Sequence, residues 1–92
     1  MKKCVKLLFE IAQAQKVLES FIADQAAKFR VEGLGQQINK DLIQIFVCGQ
    51  EEQVDDFIDA LYVGTPKIQL KNIQIETCPT DRSYRGIFRI VE

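Results

Sequence analysis

Val5, Leu7, Phe9 and Ile11 alternate with Lys6 and Glu10, so one side of this stretch is apolar and the other polar. That period of two predicts a β-strand over Lys3 to Ile11. From Lys16 to Arg30 the spacing changes to threes and fours, with Val17, Leu18, Phe21, Ile22, Ala26 and Phe29 forming one stripe of a helix. Gly33 and Gly35 interrupt the pattern. Gln36 to Ile38 then leads through Asn39-Lys40-Asp41 into a second alternation from Leu42 to Cys48, which predicts a hairpin. Gly49 closes that strand. Glu51, Glu52, Asp55 and Asp56 load acid onto the start of the next segment, where a helix dipole favours it, and Val54, Phe57, Ile58, Leu61 and Tyr62 supply its apolar stripe. Gly64-Thr65-Pro66 stops that helix. Ile68, Leu70, Ile73 and Ile75 predict a fourth strand, and the change of parity near Asn72 predicts a bulge in it. After a polar loop from Cys78 to Ser83, Tyr84 to Val91 alternates again with Phe88 and Ile90 inward. The order strand, helix, strand, strand, helix, strand, strand is a split βαβ plan, which predicts one α+β domain over residues 1–92.

Ninety-two residues with 47% hydrophobic content suffice for one core without metal or disulfide staples. A net charge of −1 supplies no basic field for nucleic acid or an acidic membrane, and no apolar run reaches the ~18 residues of a membrane span. Lys6 and Glu10 break the apolar stretch near the N-terminus, so no signal peptide is expected. The chain contains no histidine, which removes the usual general base and the commonest transition-metal ligand, and no cofactor or metal site is expected. Cys4, Cys48 and Cys78 are an odd set without a CxxC pair, which points to reduced cysteines and a cytoplasmic setting. Cys4 and Cys48 come close if strands one and three pair, and buried reduced thiols are the expectation there.

The run AAKFRVEGLGQQINKDLIQIFVCG, Ala26 to Gly49, and the run VDDFIDALYVGTPKIQLKNI, Val54 to Ile73, resemble the acylphosphatase family without a gap. The resemblance implies a ferredoxin-like βαββαβ sandwich with an extra C-terminal strand, its two helices on one face of a mixed antiparallel sheet. It also implies a metal-free hydrolase of acyl phosphates, in which a glycine-rich loop ending in Gly-Phe-Arg holds the phosphate. An asparagine after helix one places the attacking water. Here the loop reads AQAQKVLES, Ala12 to Ser20, without glycine, and counting back from the hairpin puts the arginine position on Glu19 and the asparagine position on Gln37.

The first of these changes reverses a charge. Two unit charges ~4 Å apart interact by ~4 kcal/mol at an effective dielectric of ~20, so an attraction of that size becomes a repulsion. A cradle of inward amides also needs backbone angles that Ala, Gln and Lys adopt only at a cost. Glu19, expected in the first helical turn, would satisfy the dipole itself.

No catalytic residue is therefore expected, and the sequence reads as a binding or structural module. The alternative is a divergent hydrolase in which Lys16, expected in the loop ahead of the helix, replaces the lost arginine as anion holder, with Arg30 as a weaker candidate for that role. A third class, an RNA-binding sheet, needs exposed aromatics, and Phe46 is the only one expected on the open face. Leu8, Leu42, Phe46, Ile87 and Val91 are expected on that face as an apolar patch for a protein partner or a second copy, unless Lys6, Gln44 and Arg89 cover it. The acidic cluster at residues 51–56 reads as helix-start bias, and Arg82, Arg85 and Arg89 as solvated edge residues, although together they offer a hold for an acidic partner.

Overall fold

The computed structural model describes residues 1–10, 15–64, 71–79 and 84–91. Its elements are β1 (Lys2–Glu10), α1 (Gln15–Phe29), β2 (Glu32–Asn39), β3 (Leu42–Gln50), α2 (Glu51–Val63), β4 (Lys71–Thr77) and β5 (Phe88–Val91). The strands form one sheet in the order β4-β1-β3-β2-β5, with β5 parallel to β2 and the other pairs antiparallel. Both helices contribute to a core that lies between them and the sheet. The expected α+β sandwich is the observed one.

Alternation places Val5, Leu7 and Phe9 opposite Val47, Ile45 and Ile43, all of them buried, and this set is the sheet's contribution to the core. Leu18, Phe21, Ile22 and Ala26 of α1 and Val54, Phe57, Ile58 and Leu61 of α2 close over it. Two expected stripe members differ. Val17 is 50% exposed and Tyr62 57%, because each stands at the border of its helix's apolar face rather than beneath it.

The helix ends follow local chemistry. Val31 N–H bonds to Ala26 C=O and Arg30 N–H to Ala27 C=O, with Arg30 at φ 58°, so α1 closes in a Schellman motif that carries arginine where glycine is usual. At the start of α2 the Glu51 N–H donates to the Met1 carbonyl, and Glu51 and Glu52 occupy the first turn as expected. Lys3 Nζ lies 2.7 Å from Asp55 Oδ1 and pins β1 to α2. That hydrogen bond, with the nearby acid of Glu51, holds the Lys3 ammonium above its ordinary pKa. Gly64 ends α2 at φ 63°, its N–H on the Ala60 carbonyl.

The glycines that break the sequence pattern do not break the strand. β2 runs through Gly33 and Gly35, because a Cβ on Gly33 would stand 1.9 Å from the Phe46 carbonyl oxygen, and one on Gly35 would stand 3.1 Å from Ile90. Glycine lets β2 lie between β3 and β5 with Phe88 and Ile90 packed toward the core. The hairpin turn is as expected, with Asn39 Oδ1 accepting from the N–H groups of Asp41 and Leu42. The bulge near Asn72 is present: pairing shifts between Leu8↔Gln74 and Glu10↔Lys71, and Asn72 takes φ 54°. The closing strand is shorter than expected. Tyr84 to Ile87 is a turn, with Arg85 and Gly86 both at positive φ and Ile87 N–H on the Tyr84 carbonyl, so pairing begins at Phe88. Ile11, Ile68 and Leu70 lie outside the described residues.

Candidate functional site

The end of β1, the start of α1, the β2–β3 hairpin and the start of β4 all lie at one end of the sheet. The resemblance assigns the phosphate site to this end. Residues 15–19 are helical, so the last part of the sequence that would form the loop is wound into α1. Gln, Lys, Leu and Glu are good helix formers and no glycine interrupts them.

Two expectations change as a result. Lys16 is not a loop residue; it is an exposed residue in the first turn of α1. Glu19 is not in the first turn, which contains no acidic residue, and it stands deeper in the helix as a half-buried side chain. The helix dipole acts on it correspondingly less, since its field falls off within the first turn. The remaining loop positions at 11–14 lie outside the described residues.

Gln37 pairs with Ile43 and so shares the helix-facing side of the sheet, half-buried near the hairpin end. At the neighbouring edge, Glu10 accepts a hydrogen bond from Asn72 Nδ2. A cleft there is lined by Leu8, Phe9, Glu10, Leu42, Asn72, Ile73 and Gln74, and among the described residues its charged lining group is the Glu10 carboxylate. A carboxylate repels phosphate. Among the described residues no three Cys, Asp or Glu side chains converge as metal ligands would. No helix among them is long and apolar enough to cross a membrane.

The face opposite the helices is built in rows across the strands. One row reads Glu76, Lys6, Phe46, Leu34, Arg89, and the next reads Gln74, Leu8, Gln44, Gln36, Val91. Lys6 Nζ bonds Glu76 at 3.0 Å. Leu8, Leu42, Phe46 and Val91 are half-buried on this face and Ile87 is 53% exposed. Lys6 and Gln44 stand among them, so the apolar part runs through Leu42, Leu8, Phe46 and Leu34, with Ile87 sharing a cleft with Leu34 on the β5 side and Val91 opposite Gln36. Arg85 and Arg89 are exposed, and Arg82 lies outside the described residues.

The cysteines depart from expectation. Cys4 and Cys48 are joined as a disulfide, with Cα atoms 4.2 Å apart, and both are buried. The β1–β3 register sets them directly opposite one another on the face away from the helices. Directly opposed residues whose backbone groups bond to other strands have the closest side chains, which suits a cross-strand bond. Cys78 is a free thiol. The expected closeness of Cys4 and Cys48 on pairing of the first and third strands is observed, and the disulfide replaces the reduced thiols expected there.

The acylphosphatase family model matches residues 15–90. The chain belongs to the acylphosphatase family. The match begins at α1, and β1 with residues 11–14 precedes it. No curated protein matches the chain. Among solved structures, an acylphosphatase from Coxiella burnetii superposes with a TM-score of 0.79 at 15% identity, covering 98% of this chain and 93% of its own. An acylphosphatase from Bacillus subtilis superposes at 0.76 with 21% identity, and both chains are covered completely. Full-length HypF in its phosphate- and nucleotide-bound form superposes at 0.74 with 20% identity, covering all of this chain and 12% of that one. The acylphosphatase fold therefore occurs there as one module of a larger protein.

Proposed function

We propose that this acylphosphatase-family chain is a single, non-catalytic domain over residues 1–92 that serves as a cytoplasmic protein-interaction or structural module. The observation that carries the reading is Glu19. An acid stands where the resemblance expects the arginine, on a stretch wound into helix rather than looped around an anion. Gln37 keeps an amide for placing water, but water placed beside an absent acyl phosphate does no chemistry. A partner or a second copy would pack on the sheet face opposite the helices, over Leu8, Leu42 and Phe46 and toward Ile87 and Val91. The occurrence of the same fold as a small part of HypF supports a modular role.

The test is hydrolysis of benzoyl phosphate by the purified chain. The expected result is no turnover above the uncatalysed rate, and the same for Glu19→Arg, because restoring the cation does not rebuild a cradle. Turnover approaching the enzyme median of about 10 per second would overturn the reading. Its loss in Lys16→Ala would then favour the alternative, a divergent acylphosphatase whose anion holder is the exposed lysine in the first turn of α1.

A further inference from the structure

The sheet register aligns all three cysteines. Cys4 lies opposite Cys48 on β3. On its other side Val5 pairs with Thr77 of β4, and the Cys78 N–H donates to the Cys4 carbonyl at 3.0 Å, which extends that pairing by one residue and sets Cys78 beside Cys4. Directly opposed residues share a face. Cys78, Cys4 and Cys48 thus form one row across three adjacent strands, with a thiol at one end and a disulfide occupying the other two places.

Cα atoms of hydrogen-bonded antiparallel neighbours lie ~5.5 Å apart, inside the ~4.4–6.8 Å that a disulfide spans. A disulfide between Cys4 and Cys78 therefore falls within the backbone span, and forming it requires the two side chains to draw together, since a hydrogen-bonded pair holds them farther apart than a non-hydrogen-bonded one. The row also supplies the approach that exchange needs. A thiolate attacks a disulfide sulfur in line with the bond it breaks, and Cys78 stands on the far side of Cys4 from Cys48.

We propose that these residues are a thiol–disulfide exchange site in which Cys78 moves the bond from Cys4–Cys48 to Cys4–Cys78. The Cys78 thiol gives its proton to solvent, and the thiolate attacks Cys4 Sγ. The Cys4–Cys78 bond forms as the Cys4–Cys48 bond breaks, and Cys48 leaves as a thiolate that takes a proton from water. One disulfide and one thiol exist before and after, so no oxidant or reductant is consumed. Buried Cys48 becomes the free thiol, and the cross-link passes from the centre of the sheet to its β4 edge. The proposal is independent of whether the domain is catalytic, since it uses none of Lys16, Glu19 or Gln37.

The experiment maps the bond in the intact oxidised chain after incubation at a series of pH values between about 7 and 9, quenched with acid and blocked with N-ethylmaleimide in denaturant at pH about 6, where exchange is slow. Peptides are then identified without reduction. The expected result is a Cys4–Cys78 linkage carrying a blocked Cys48, alongside Cys4–Cys48 carrying a blocked Cys78. The new linkage should form about tenfold faster per pH unit while the attacking thiol remains mostly protonated. Cys78→Ser should yield Cys4–Cys48 alone. Finding only Cys4–Cys48 with Cys78 blocked at every pH, in a chain whose circular dichroism shows it folded, would overturn the proposal.

Discussion

Replacing both Cys4 and Cys48 by alanine is expected to lower the stability of the chain by about 4 kcal/mol, from closure of the loop between two positions 44 apart in sequence. The replacement is best made with Cys78→Ser also present, in both the variant and its reference, so that no thiol is left to exchange. The bond ties β1 to β3 at the centre of the sheet, so the unfolded chain without it gains the freedom of the segment that carries α1, the hairpin and most of β3. Small domains are stable by ~5–15 kcal/mol in total, so a loss of this size is a large share of the whole. Urea unfolding of the oxidised chain with and without the pair measures it. A difference below ~1 kcal/mol would show that loop closure contributes little here.

The second large effect belongs to Phe57. Its ring is fully buried on α2 and meets the Phe88 ring at a centroid distance of 6.1 Å, which joins the helix to the short edge strand β5. Phe57→Ala removes a large apolar side chain and leaves a cavity between α2, β3 and β5, with an expected cost of ~3–5 kcal/mol. Tyr62→Ala on the same helix is the control. Tyr62 is 57% exposed, so its loss should change stability by no more than ~0.5 kcal/mol. Equal effects from the two would contradict the packing described for α2. Both values come from the same urea titration.

What the sequence could and could not convey follows from the range of the forces involved. Val5, Leu7 and Phe9, the stripe of α1 and the Asn39 turn were legible because each depends on neighbours a few residues away. The bulge at Asn72 was legible too, since a change of parity within one strand is itself a local signal. Gly33 and Gly35 interrupt the pattern in the sequence yet lie within β2, because what they accommodate is the Phe46 carbonyl and the Ile90 side chain arriving from other strands. The closing strand was overextended for a related reason: Arg85 adopts positive φ in a turn that alternation alone does not reveal. The cysteine row required register, and register is set by how three strands meet.

The site shows the same division. The acid at Glu19 and the absence of glycine from residues 12–20 are visible in the sequence, whereas the depth of Glu19 in the helix is not. Gln15, Lys16 and Leu18 are good helix formers, but whether they wind or loop depends on how β1 delivers the chain to the core. The cleft beside Glu10 and Asn72 pairs two strands, β1 and β4, that lie far apart in the chain.

We propose that the described residues at the end of the sheet where α1 begins offer no seat for a phosphate. Titrating inorganic phosphate into the isotopically labelled chain and following the amide NMR signals of Gln15, Lys16, Val17 and Leu18 tests it most directly. The account predicts that these signals stay in place up to phosphate concentrations of about 10 mM, well above the ~1 μM to 1 mM range of common enzyme affinities. Saturable movement of those four amides, with a midpoint inside that range, would contradict it.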